Sequence, residues 1–194
     1  MEIKAEALAR GKKIKLVIFD VDGVMTDGGI YVGPEGELYK PFNCKDGLGI
    51  TLAHRSGLRT AIITGRESKQ LAYRAGELHI TEVMQGHRNK RGAYKELKER
   101  QNLADEEIAY VGDDLIDLPV MVQVGLPLAV ADAVPEVRDC SLVVSGKEGG
   151  HGAIRELLEF ILKAQGKWEP IVASFKDASE QMENIATPTE ALQQ

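Results

Sequence analysis

Buried-strand runs alternate with helical stretches along most of this 194-residue chain, and that alternation limits the fold most. "KIKLVIFD" (13–20), "LRTAIITG" (58–65), "HITEVMQ" (79–85) and "EIAYVGD" (107–113) are apolar runs rich in β-branched residues. "LPLAVAD" and "SLVVS" follow as shorter strands. Between them the apolar spacing turns helical over 46–57, 67–78, 90–102, 114–125 and 152–165. Gly57 stops the first of these helices, and Pro119 belongs in the first turn of the fourth. Strand–helix alternation predicts an α/β fold: a Rossmann-like parallel sheet with helices on both faces. "GIYVGPEGELYKPF" (29–42) carries two short alternating runs around Gly33 and Gly36, so a small β-hairpin flap is expected within about 24–42. The expected organisation is an N-terminal arm (1–12), one domain (13–165) and a polar tail (166–194) that is partly disordered.

Composition removes several classes of function. Formal net charge is −6, so nucleic-acid binding through phosphates is not expected. Hydrophobic residues make up 43% and charged residues 28%, the balance of a soluble globular protein. No apolar run approaches the roughly 20 residues of a membrane span, so no membrane partner is expected. "MEIKAEALARGKK" has no apolar signal-peptide core. Cys44 and Cys140 lie far apart and suit a reduced compartment. The cytoplasm is the expected location. His54, His79, His87 and His151 have no ligand-like spacing.

In an open parallel sheet, ligands bind beyond the carboxyl ends of the strands. Asp20 and Asp22 end the first run, Thr64 the second, Lys90 follows the third, and Asp113 and Asp114 end the fourth. Each also has a bland explanation. An acid pair after a strand can be a solvated turn, Thr64 a helix cap, and the acids of "GDDLID" a favourable helix start. The bland explanations do not require acid pair, hydroxyl, lysine and acid pair in succession on one rim. Phosphoryl transfer through an aspartyl phosphate does. A phosphate monoester brings a charge of about −2, and three ionised carboxylates add to it. A Mg²⁺ and an ammonium would neutralise such a site and hold the acids ionised together.

"DVDGVMTDG", "ITGR", the Lys90 that follows "VMQG", and "GDDLID" resemble, in order, the four motifs of the haloacid dehalogenase superfamily of phosphatases. Within it the chain is similar to the 3-deoxy-D-manno-octulosonate 8-phosphate phosphatase group, through "DGVMTDGGIYV", "FNCKDGLGI", "AYVGDDLIDLPVM", "VGLPLAVADA" and "GGHGAIRE". The resemblance covers about residues 11 to 165. It implies Asp20 as nucleophile, Asp22 as the acid that protonates the leaving alcohol and then activates water, and Thr64 and Lys90 on the phosphoryl oxygens. It implies Mg²⁺ bound by Asp20, the Asp22 backbone carbonyl and Asp113, with Asp114 and Asp117 holding metal waters or orienting Lys90. The implied substrate is a sugar-acid phosphate, hydrolysed on the way to lipopolysaccharide precursors. The substrate-contacting positions are Asn43, Cys44, Lys45, Asp46, Gly47, Arg66 and Arg74, together with Asp22 and Lys90. Arg66 and Arg74 stand eight apart, expected on one face of one helix. Thr51 stands where some relatives carry arginine.

The spacing also leaves no room for a large cap domain. Asp20 to Thr64 admits a hairpin and one helix, and Thr64 to Lys90 one helix and one strand. The resemblance implies a homotetramer in which each hairpin helps close a neighbour's site, with Arg66 or the tail able to take part. Two alternatives remain at this point. One is a nonulosonate 9-phosphate phosphatase, against which Arg66 argues. The other is a receiver-like signalling module phosphorylated on Asp, which gives no reason for Asp22.

Overall fold

The computed structural model describes residues 1–34 and 36–177. In chain order the elements are β1 (Glu2–Ile3), α1 (Ala7–Gly11), β2 (Leu16–Phe19), β3 (Tyr31–Gly33), β4 (Gly36–Tyr39), α2 (Cys44–Arg55), β5 (Arg59–Ile63), α3 (Lys69–Glu77) and β6 (Glu82–Met84). There follow α4 (Lys90–Gln101), β7 (Ile108–Gly112), α5 (Leu118–Met121), β8 (Leu126–Ala129), α6 (Pro135–Cys140), β9 (Val143–Val144), α7 (Ala153–Ala164) and α8 (Trp168–Lys176). Seven strands form one sheet in the order β1-β9-β8-β7-β2-β5-β6, and β3 pairs with β4 in a separate hairpin. Only β1 runs antiparallel within the large sheet.

Every residue of β2, β7 and β8 is buried, as continuous apolar runs must be when helices cover both faces of a parallel sheet. α7 packs along α2 and α1 and buries Ile154, Leu157, Leu158 and Ile161. From β2 the chain moves outward through β5 to β6, then crosses to β7 and continues through β8 to β9. The β2–β7 boundary is therefore the switch point, where successive loops part and leave a crevice. Phe19 aligns with Ile62 of β5 and Val111 of β7, so Asp20, Thr64 and Asp113 emerge on one rim. No helix among the described residues is long and apolar enough to cross a membrane.

Three elements differ from the periodicity. Residues 114–125 form no single helix. A one-turn 3₁₀ helix, Leu115–Asp117, passes into the four-residue α5, because Asp114 caps the first and Pro119 opens the second. Residues 1–12 supply β1, an edge strand on β9, and α1, buried through Ala7 and Gly11. Past Gly166, α8 lies against α7 with Trp168 over the Arg155 guanidinium, ring centroid to carbon 5.1 Å. The tail's last residues, 178–194, lie outside the described residues.

Candidate active site

β2 delivers Asp20 to the crevice by extending its own ladder: the Asp20 amide donates to the Val111 carbonyl at 3.1 Å. The chain then turns through Gly23 (φ +89°), where a side chain would meet Asp113 Oδ2 at 2.1 Å. Glycine is needed there both for the left-handed backbone and for the close approach. The buried Thr26 hydroxyl steadies this loop, accepting from the Gly23 and Gly28 amides and donating to the Val21 carbonyl. Thr64 follows β5 directly and is 2% exposed, and its hydroxyl accepts from the Arg66 amide at 3.4 Å. Asn89 caps α4 and sets Lys90 at its first position.

Lys90 is 2% exposed, and its ammonium lies 2.8 Å from Asp20 Oδ1 and 2.7 Å from Asp117 Oδ1. Burial works against that charge, but Asp20 and Asp117 outweigh it and hold the lysine pKa above its usual value. Asp117 is fully buried and saturated: Lys90 and the Tyr110 hydroxyl donate to Oδ1, and the Asp113 and Asp114 amides to Oδ2. It orients Lys90 and has little acceptor capacity left for a metal. Asp114 is exposed, and its Oδ1 caps the one-turn helix by accepting from the Leu115 amide. Carboxylate oxygens of Asp20, Asp113 and Asp117 lie within 4.8 Å of one another. Burial, then Asp20 and Asp117, push the Asp113 carboxyl up to about 8, and burial with Asp117 raises Asp20 despite Lys90. Asp113 Oδ1 is buried with no hydrogen-bond partner. Crowded acids with an orphaned oxygen fit a hard divalent cation with oxygen ligands, bound by Asp20 and Asp113.

Residues 59–157 match the family model described as haloacid dehalogenase-like hydrolase. The chain is 48% identical over 165 residues to 3-deoxy-D-manno-octulosonate 8-phosphate phosphatase KdsC of Escherichia coli (strain K12), covering 85% of this chain and 88% of that protein. The chain belongs to this phosphatase family, within the haloacid dehalogenase-like hydrolases. Solved structures agree. The Yersinia pestis 3-deoxy-D-manno-octulosonate 8-phosphate phosphatase gives a TM-score of 0.83 at 48% identity, covering 85% of this chain and 89% of that one. The Moraxella catarrhalis enzyme, solved with a magnesium ion, a phosphate ion and a KDO molecule, gives 0.85 at 39%, covering 88% and 98%.

In this phosphatase-family chain the substrate-side positions divide. Asp22 stands apart from the three-acid cluster, its carboxylate paired with Lys40 and, at 3.5 Å, with Arg66. Arg66 is half exposed and precedes α3, so it shares no helix face with Arg74, contrary to the spacing expectation. Ser68 capping α3 moves the helix start past it. The Arg74 guanidinium packs on the backbone of Gly47, where an added Cβ would stand 2.3 Å from Nη2. Cys44 and Lys45 are exposed in the first turn of α2. Asn43 and Asp46 also make hydrogen bonds within the fold. Asn43 caps α2 and donates to the Gly150 carbonyl, while Asp46 is buried and accepts from the Gly152 and Arg155 amides at the start of α7. Thr51 donates to the Gly47 carbonyl within its own helix. Sequence reasoning missed Thr26, Tyr110, Glu37 and Lys40. Thr26 lies inside the quoted "DVDGVMTDG", but nothing local marks the other three.

Proposed function

We propose that this protein hydrolyses 3-deoxy-D-manno-octulosonate 8-phosphate to the free sugar acid and phosphate. The observation that carries the reading is Lys90 held between Asp20 and the saturated Asp117 on the rim, beside the orphaned oxygen of Asp113. Asp20 attacks phosphorus in line, an aspartyl–phosphorus bond forms, and the bond to the sugar oxygen breaks. Asp22 gives its proton to the departing oxygen. Asp22 then takes a proton from water, whose oxygen displaces Asp20 and releases phosphate. Lys90 and Thr64 hold the phosphoryl oxygens. Asp20, Asp113 and the Asp22 backbone carbonyl would hold Mg²⁺, which would supply positive charge against the dianion and the acids.

A phosphate-release assay across sugar phosphates tests this. Turnover is expected to need Mg²⁺, to stop with a chelator, and to favour the octulosonate over a nonulosonate 9-phosphate. Preference for the nine-carbon ester, or turnover without a divalent ion, overturns the assignment.

Homotetramer assembly through the hairpin belongs to the same reading. Ile30, Val32, Leu38 and Tyr39 expose between 44% and 68% of their surface there, a patch that suits another copy. Dilution into a monomeric range, followed by sedimentation and assay together, should lower activity on the sugar acid before the fold is lost. A fully active monomer contradicts it.

A further inference from the structure

The two loops that carry the acids are joined by a third segment, residues 146–152, which contributes no group to the reaction above. Gly150 donates its amide to the Val24 carbonyl at 3.1 Å. Gly149 lies so close behind the catalytic loop that a Cβ there would collide with the Gly23 carbonyl, and one on Gly150 would stand 2.5 Å from the Thr26 carbonyl carbon. Those neighbours are backbone atoms, which cannot swing aside as a side chain does. On its other side the same segment holds the loop after β8. The Gly149 amide donates to Asp132 Oδ1 at 3.0 Å, and the Lys147 carbonyl accepts from the Ala131 amide at 2.9 Å. That loop in turn holds Asp113, whose carbonyl accepts from the Val134 amide at 2.9 Å. A continuous path runs from the turn after Asp22 to the backbone of Asp113.

What fixes this segment comes from far away in the chain. The segment opens into α7, whose N-cap residue is Gly152, at φ +99° and with no side chain to cap the helix. Asp46, in the first turn of α2, supplies the missing carboxylate. Its Oδ1 accepts from the Arg155 amide at 2.8 Å and its Oδ2 from the Gly152 amide at 3.3 Å. The first of these is the bond that an N-cap side chain normally makes to the third helical amide. The charge also sits at the positive end of a twelve-residue helix. Asn43, the cap of α2 itself, donates to the Gly150 carbonyl at 2.9 Å, so the start of α2 holds the segment at two points. Asp46 is 4% exposed, and burial raises its carboxyl above the usual aspartate value despite the two amides, Arg155 and His151. An apolar residue would avoid that desolvation but would leave both amides unpaired.

We propose that Asp46 is a positioning residue for the metal centre: through the start of α7 and the Gly149–Gly150 pair it fixes the loop of Asp20 and Asp22 relative to the loop of Asp113. The proposal rests on the Mg²⁺ site given above, which takes its ligands from both loops. Such an ion is bound only as well as the two loops are held against each other. Mg²⁺ makes the demand sharply, because it tolerates little departure from octahedral geometry. Both hydrogen-bond partners of the Asp46 carboxylate lie at the start of α7, so its effect on the ion is transmitted through backbone.

The test reads two quantities, the apparent Kd for Mg²⁺ from melting temperature against Mg²⁺ concentration, and KM for the sugar phosphate at saturating Mg²⁺. Asp46→Ala should raise that Kd about tenfold or more and leave KM unchanged. Asp46→Asn keeps an acceptor for one of the two amides and should fall between wild type and Asp46→Ala. Gly149→Ala disturbs the catalytic loop from the same side and should reproduce the loss with Asp46 in place. If Asp46 only pins α7, Asp46→Ala melts lower but binds Mg²⁺ like wild type. If it contacts the sugar, KM rises and the Mg²⁺ Kd does not move. Either result overturns the proposal. Should Asp46→Ala fail to fold, Asp46→Asn decides, and wild-type Mg²⁺ affinity in it is fatal. A wild-type protein whose melting temperature does not respond to Mg²⁺ overturns the metal reading itself, before any variant is compared.

Discussion

Replacing Asp20 by Asn should lower kcat by at least ~10³-fold while the protein keeps its fold. Asparagine has nearly the same shape, so the ladder bond from residue 20 to Val111 and the packing behind β2 are preserved. Its amide cannot displace the sugar oxygen from phosphorus. Lys90 loses one ion pair but keeps Asp117 at 2.7 Å, so its charge stays compensated. The acid cluster also becomes less crowded, since Asp20 raises the pKa of Asp113. The melting temperature is therefore expected to hold within a few degrees, and acid quenching should trap a phosphorylated enzyme from wild type and none from the variant. Turnover within tenfold of wild type would mean that another group attacks phosphorus.

The rim was legible because each of its members ends or follows an apolar run. Asp20, Thr64 and Asp113 each directly follow a strand and leave the sheet on the same side, and parallel register does the rest. Hydrophobic period says less where tertiary contact decides. Asp46 stands in the quoted "FNCKDGLGI", yet its carboxylate is claimed by amides 106 and 109 residues later. β1 is two residues long and gains its meaning only from β9, at the far end of the chain. Tyr110 sits mid-strand like any core aromatic, and only the folded structure aims its hydroxyl at Asp117. Lys40 and Glu37 lie on a hairpin whose alternation reads equally well with either face inward. A one-residue slip in register exchanges the two faces, so which side meets Asp22 is settled by docking against α3. Arg66 and Arg74 were misplaced for a simpler reason. Their spacing fits a helix, but Ser68 is a good cap, and capping chemistry outweighs periodicity at an end.

The largest stability effect is expected at Lys90. In Lys90→Met the thioether side chain fills the space of the lysine stem but leaves Asp20 and Asp117 without the ammonium that pairs with both, beside Asp113. Removing one partner of a buried ion pair costs about 3–5 kcal/mol, which for a chain of this size lowers the melting temperature by on the order of 10 °C. The sign of the Mg²⁺ response distinguishes this from a simple packing defect. An ion that binds only the folded state stabilises it by RT ln(1 + [L]/Kd), and its affinity rises as the site becomes more negative. Melting curves in chelator and in excess Mg²⁺ should therefore differ more for Lys90→Met than for wild type, with part of the lost stability recovered. Activity should stay low in both, since the ion replaces the charge but not the ammonium that steadies the phosphoryl oxygens. A variant that melts like wild type in chelator, or that gains no more from Mg²⁺ than wild type does, would show that Lys90 is not what lets these acids share the crevice.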